Sequence, residues 1–284
     1  MLCMIEIELE TLCKSELPAT HGRFLHAMWL KLLEKTDNTM SDSLHGQMDT
    51  KPFAISPIYI PGEIPGKPPK ILEANQIVVF RLNLMDNNVI RQGHAALSQA
   101  MLGGHVNVGS VSFRVIGMRI LRAQETSDLY TEGKSLAATR IFEINFRTLT
   151  CFRHKGRSLL FPEPRLWIAG LARKWRELGG MDQAVNPDVL RRLAEDIYPV
   201  RYSLHTGAMD EGRYLLSGFT GICIFEADTG ICSDDMNTLY TLLLLSDYTG
   251  IGYKTTMGMG QVSFRIIRES LDEGKEGDEE RKLY

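Results

Sequence analysis

Cysteine is scarce and unpaired. The five residues, at positions 3, 13, 151, 223 and 232, are odd in number and scattered, with no Cys-x-x-Cys spacing. That excludes a disulfide framework and a cysteine-based zinc site, and it is the thiol usage expected of a cytoplasmic protein. No uninterrupted apolar run approaches the roughly 20 residues a membrane-spanning helix needs. Glu6, Glu8 and Glu10 interrupt the apolar residues of the N-terminus, so neither a membrane anchor nor a signal peptide is expected. No carboxylate–histidine cluster has metal-ligand spacing, so neither a metal nor a cofactor is expected. An excess of positive charge is missing too: the 284 residues carry a formal net charge of −3, which speaks against a uniformly basic nucleic-acid binder. The deficit is local. Residues 269–284 hold seven acids and three bases, and without this tail the body carries +1. Such a tail reads as a solvated segment. A polyanion would then have to be met by a local basic patch.

What is present is enough apolar residue, 44%, for packed cores, and a length that suits two domains. In Leu2 to Leu12, Ile5, Ile7 and Leu9 alternate with Glu6, Glu8 and Glu10, the pattern of a half-buried strand. Pro18 and Thr20 announce a helix whose stripe is Phe24, Leu25, Met28, Trp29, Leu32 and Leu33. Residues 37–50 are polar and read as a loop. A strand at Ile77 to Leu84, a helix at about 88–102 and two strands within 105–123 complete a β-α-β…α-β order. That is the order of a ferredoxin-like unit. Asp128 to Lys134 reads as a linker. The second half offers a strand at 140–149, helices at about 163–178 and 187–197, strands at about 200–206 and 212–226, a helix at 235–248 and a last strand at 262–266. The expectation is an α+β protein with two domains, 1–127 and 135–268, followed by the acidic tail 269–284.

The most unusual stretch joins that last helix to the last strand. Gly250-Ile251-Gly252-Tyr253-Lys254-Thr255-Thr256-Met257-Gly258-Met259-Gly260 holds four glycines in eleven residues. Glycine allows positive φ and close backbone approach, and successive exposed N–H groups form an anion-binding nest. A Walker loop would need Gly-Lys-Ser/Thr opening a helix, but Tyr253 separates Gly252 from Lys254. A dinucleotide loop would need a strand before it and a helix after it, the reverse of this order. A phosphate of some other kind is the natural ligand; a plain helix-to-strand turn explains Gly250 as a helix terminator but not four glycines.

This run resembles the C-terminal glycine-rich signature of the CRISPR-associated endoribonucleases that cut precursor CRISPR RNA at its repeats, within the repeat-associated mysterious protein superfamily. Further stretches fit the same family in the same order: His21-Gly22-Arg23-Phe24-Leu25-His26-Ala27, then Ser43-Leu44-His45 and Lys51-Pro52-Phe53-Ala54-Ile55-Ser56-Pro57. Later come Cys151-Phe152-Arg153 with Leu160-Phe161-Pro162-Glu163-Pro164 and Trp175, and Gly218-Phe219-Thr220-Gly221. The resemblance implies two tandem ferredoxin-like (RRM-like) domains with antiparallel sheets. It implies metal-independent cleavage by a ribose 2′-hydroxyl, leaving a 2′,3′-cyclic phosphate and a 5′-hydroxyl. The partner it implies is the repeat of precursor CRISPR RNA, with other CRISPR effector proteins as further partners and no membrane.

That reaction needs a base, an acid and positive charge on a phosphorane-like transition state. Histidine suits the proton transfers and lysine the charge. His45 matches the family's catalytic histidine and Lys51 its lysine. The tyrosine that many members carry on the first helix falls near Trp29, a core position with no ionisable proton, which leaves the base open. His26, expected to project from the helix flank, is the first candidate to assist, and His21 near the helix start the second. For RNA contact the candidates are Gly250, Gly252, Lys254, Thr255, Gly258 and Gly260, with Arg153 and Lys155 in a short basic cluster expected in a loop. The alternative is an RNA-binding subunit of a CRISPR effector complex with the same fold and no catalysis.

Overall fold

The computed structural model of the protein describes residues 1–45, 50–63, 68–179, 185–210, 212 and 214–267. The acidic tail lies outside them. The first half runs β1 (Leu2–Thr11), β2 (Ser15–Glu16), α1 (Gly22–Glu34), α2 (Asn38–His45), β3 (Phe53–Ile55), β4 (Ile71–Leu72), β5 (Ile77–Leu84), α3 (Asn87–Met101), β6 (His105–Val108) and β7 (Val111–Gln124). The second runs α4 (Thr126–Leu136), β8 (Ile141–Thr150), β9 (Phe152–His154), β10 (Arg157–Leu159), α5 (Pro164–Glu177), α6 (Pro187–Glu195), β11 (Ile197–Asp210), β12 (Leu215–Ala227), α7 (Ser233–Thr249) and β13 (Val262–Ile266).

Each half builds one main antiparallel sheet, in the orders β3-β5-β1-β7-β6 and β11-β12-β8-β13. In both, the first strand is central and pairs with the third and fourth main strands, and the second lies at the edge beside the third. This is the ferredoxin-like arrangement, twice. Alternation sets the faces: Cys3, Ile5, Ile7 and Leu9 of β1 are buried with Leu25, Trp29 and Leu33 of α1 in one core. Phe142, Ile144 and Phe146 of β8 join Trp167, Trp175 and the leucines of α7 in the other. Trp29 is 1% exposed, as its place in the stripe predicts.

Two segments depart from the sequence reading. Asp128 to Lys134, read as a linker, lies within α4. A reciprocal cap between Glu125 and Asp128 starts that helix, and Leu129 and Ala137 bury in the second core. Its apolar residues are too few to show as a stripe. Residues 38–45, read as loop, form α2. Its start is set by Asp37, whose carboxylate accepts from the Met40 N–H (2.9 Å), and it is held to α1 by Ser41 Oγ donating to the Leu30 carbonyl (3.1 Å).

The halves meet along a seam. Asn83 of β5 donates through Nδ2 to the carbonyls of Asp247 (3.1 Å) and Tyr248 (2.9 Å) on α7. Beside it, burial pushes the Asp247 carboxyl up to about 6, although Arg122, Arg147 and Arg81 pull the other way. A raised folded pKa means that the folded protein holds the extra proton between about pH 4 and pH 6. The group's contribution is therefore largest at the acid end and is lost as pH rises. Asp247 should account for a loss of on the order of 2–3 kcal/mol across that window. Denaturant melts of wild type and Asp247→Asn would check it: the variant should lack that part of the slope, and parallel curves would rule the assignment out.

Candidate RNA-binding and cleavage site

The glycine-rich loop is the hub of the seam. Gly250, Gly252, Gly258 and Gly260 all have positive φ (65°, 91°, 86° and 66°), and Lys254 is also left-handed at 55°. The loop is pinned to the second half by Tyr253 N–H donating to the Cys151 carbonyl (2.9 Å) and Gly260 N–H to the Leu149 carbonyl (3.0 Å). It closes on itself through Ile251 N–H to the Gly260 carbonyl (2.8 Å). The first half packs on its other side. A Cβ at Gly22, in the first turn of α1, would sit 1.9 Å from the Met257 carbonyl oxygen, so only glycine lets α1 approach this closely.

Against that loop lies a cleft of ≈ 210 Å³. Thr50, Lys51 and Met85 line it from the first half, Arg173 and Lys174 from α5, and Gly252 to Thr256 from the loop. Lys51, Arg173, Lys174 and Lys254 line it, and among the described residues no carboxylate does. A single sign of charge in a low-dielectric recess concentrates the field that draws in an anion. The amide N–H groups of Gly252 and Thr255 have no hydrogen-bond partner among the described residues and supply donors of the same sign. An adjoining cleft of ≈ 520 Å³ shares Arg173, Lys174 and the loop, and adds Arg153 and the outer face of α5. The local patch that a net-negative chain would need is here.

Lys51 donates from Nζ to the carbonyl of Leu44, and burial holds its ammonium below the usual lysine range. This bond ties the C-terminal end of α2, where His45 sits, to the cleft rim. The His45 side chain lies outside the described residues. His26 does not project outward as expected. It is 9% exposed, its Nδ1–H donates to the Thr256 carbonyl (3.1 Å), and its ring lies 5.4 Å from that of Phe53. The reason is that the loop covers the flank of α1 that periodicity left open. His21 is buried with both ring nitrogens engaged by backbone. Nδ1–H donates to the Pro18 carbonyl and Nε2 accepts from Ile58 N–H, both at 2.9 Å, and burial lowers its pKa.

Of the loop residues, Gly252, Lys254 and Thr255 line the first cleft and Gly250 the adjoining one. Gly258 packs against Pro57, and Gly260 against Ile251. Arg153 and Lys155 are not in an open loop. They belong to the β9–β10 hairpin, whose turn is Lys155–Gly156, both with positive φ. Alternation on that short ribbon brings the Arg153 guanidinium to 5.6 Å from the Tyr253 ring centre, while Lys155 stays exposed at the tip, lining neither cleft. Sequence reasoning gave no role to Arg173 and Lys174. A signal was available for Lys174, which falls three residues after Leu171 and seven after Trp167, on the buried stripe of α5. Among the described residues no group of three His, Cys, Asp or Glu could hold a metal, and no helix is long and apolar enough to cross a membrane.

Residues 6–98 match the family profile described as the CRISPR Cas6 N-terminal domain, and residues 144–262 that of the CRISPR-associated endoribonuclease Cas6. The Cas6 endoribonuclease of Streptococcus thermophilus is 23% identical over 235 residues, 81% of this chain and 87% of its own length. Among solved structures, a Cas6 product complex superposes with a TM-score of 0.76 at 23% identity, over 93% of this chain and 100% of that one. Thermus thermophilus Cas6 gives 0.67 at 20% identity, over 93% and 98%. At these identities the structural likeness speaks to the fold.

Proposed function

Because the chain belongs to the Cas6 family of CRISPR-associated endoribonucleases, we propose that it cuts precursor CRISPR RNA within the repeats without a metal. The ribose 2′-hydroxyl attacks the adjacent phosphorus. The O2′–P bond forms and the P–O5′ bond breaks, leaving a 2′,3′-cyclic phosphate and a 5′-hydroxyl. A base takes the 2′ proton, and an acid gives one to the departing 5′ oxygen. The observation that carries this reading is the cationic cleft, with Lys51, Arg173, Lys174 and Lys254 around it and α2 ending at its rim. Solved relatives that include a RAMP protein binding different RNA substrates support RNA as the ligand.

In this reading His45 performs the principal proton transfer, and Lys51 stabilises the charge developing on the phosphorane. Gly252, Lys254 and Thr255 hold phosphate oxygens, contacts that position the RNA without reading its sequence. His26 acts through the loop it holds rather than on the RNA. Incubation of the protein with 5′-labelled repeat RNA in excess EDTA tests the whole scheme, with a second RNA that carries a 2′-deoxy at the cut. One cut that survives EDTA and vanishes on the deoxy substrate supports it. Tight binding without any cut would make the chain a non-catalytic RNA-binding subunit instead.

Lys51→Met should slow single-turnover cleavage by about tenfold, less than loss of an isolated oxyanion donor costs, because three further cations share the field. RNA affinity should fall by about threefold, as one phosphate-facing charge is lost. A variant that cuts at the wild-type rate would remove Lys51 from the mechanism.

A further inference from the structure

Lys174 is 7% exposed, on a helix face otherwise made of Trp167, Leu171 and Trp175. Its Nζ donates to the carbonyls of Thr249 (3.0 Å) and Gly250 (2.9 Å), where α7 ends and the glycine-rich loop begins. The last carbonyls of a helix have no partner of their own and carry the negative end of its dipole, so an ammonium is well placed there. An ammonium has three donors, and two are spent on these carbonyls. The same residue lines both clefts, beside Arg173 and behind Gly252. Burial of an unpaired lysine is costly, and core packing alone would be served better by leucine or methionine at this position.

We propose that Lys174 is the positioning residue of the RNA site: an internal clamp that orients the start of the glycine-rich loop and places a buried positive charge behind the bound phosphate. This rests on the reading of the cleft as the RNA site. The clamp is also proton-linked. Burial pushes the Lys174 pKa down to about 7, helped by Arg173 and opposed by Glu177 on its own helix. Lys51 and Lys254, with Tyr253, face it across the cleft, and α7 offers it only the two carbonyls. A phosphate in the cleft favours the charged ammonium, so RNA binding takes up a proton, and affinity falls as pH rises past neutrality. Stability moves the other way. Between about 7 and 10.5 the unfolded chain binds more protons at this site than the folded one, so the fold gains stability as pH rises.

The test is the affinity for repeat RNA with a 2′-deoxy at the cut, at fixed ionic strength, for wild type, Lys174→Met and Lys174→Arg. Readings run from about pH 7.5 to pH 9, above the ordinary imidazole range. Wild type should lose about fivefold in affinity over that range while its melting temperature rises. Lys174→Met should bind on the order of tenfold more weakly at the lower pH, through loss of a charged hydrogen-bonding group, and show neither trend. Lys174→Arg, whose charge does not titrate, should bind closer to wild type and be flat with pH. A folded Lys174→Met with wild-type affinity and pH dependence overturns the proposal. So does a Lys174→Arg that keeps the wild-type pH trend, which reads the same point should the methionine variant not fold. If wild type binds no repeat RNA at low salt, the functional reading of the cleft fails, and the RNA half of this proposal with it. The rise of melting temperature with pH, and its loss in the methionine variant, then reads the clamp alone.

Discussion

His45→Ala should lower the single-turnover cleavage rate of repeat RNA by about three orders of magnitude, as loss of a positioned proton-transfer group does. RNA affinity should stay within about threefold of wild type, because phosphate contacts and not the imidazole hold the substrate. The split follows from the site. Lys51 bonds to the carbonyl of Leu44, so the residue after it, His45, leaves α2 at the edge of the cationic cleft. Neither of the other two candidate histidines can replace it there without rearrangement. His21 spends both ring nitrogens on backbone, and His26 is turned into the loop. Rate and affinity measured on the same preparation check this. A rate within tenfold of wild type would falsify the assignment and move proton transfer to Lys51 or to solvent.

The largest stability effect is expected from Gly260→Ala. Gly260 has φ +66°, and a Cβ there would lie 2.1 Å from the Ile251 carbonyl oxygen. Left-handed backbone alone costs alanine about 1–2 kcal/mol. The contact cannot relax cheaply, because Ile251 N–H is bonded to the Gly260 carbonyl and Gly260 N–H to that of Leu149. Together these should cost about 3–4 kcal/mol, in the upper range for a single substitution. RNA binding should fall further than the melting temperature implies, since the loop that carries Gly252 and Lys254 is displaced even in molecules that remain folded. Gly170→Ala is the control. That glycine is inside α5 with nothing within 4 Å of its would-be Cβ, so alanine should stabilise by about 0.5–1 kcal/mol through helix propensity. A folded Gly260→Ala with full stability and RNA affinity would show that the loop tolerates another path.

Much of this was legible in the chain. Strand alternation in 2–12, 77–84 and 262–266, the stripes of α1 and α5 and the apolar run of α7 are local patterns, set by which residues must leave water. The glycine cluster announced itself because positive φ at four nearby positions admits little else. Two helices escaped notice. α2 has eight residues and buries Leu44 and Ser41, too little for a period to appear, and α4 is held by its cap and its packing on α7. The basic cluster at 153–157 showed its charge but not its hairpin, whose turn rests on Lys155 in the left-handed region, where sequence rarely points to lysine.

Sequence by itself determined the α+β class and marked the four-glycine loop as the candidate anion site, both of which depend on residue type and near-neighbour spacing. The tandem ferredoxin-like order and the candidates His45 and Lys51 came from the resemblance that the ordered motifs carry. Only the tertiary structure decided that His26 faces inward and that Arg173 and Lys174 join Lys51 and Lys254 around one cleft. Those residues lie more than two hundred positions apart along the chain at the extremes, and no local pattern encodes their meeting. Their juxtaposition follows from the close approach of two separately built halves, which Gly22 permits by letting α1 reach the Met257 carbonyl.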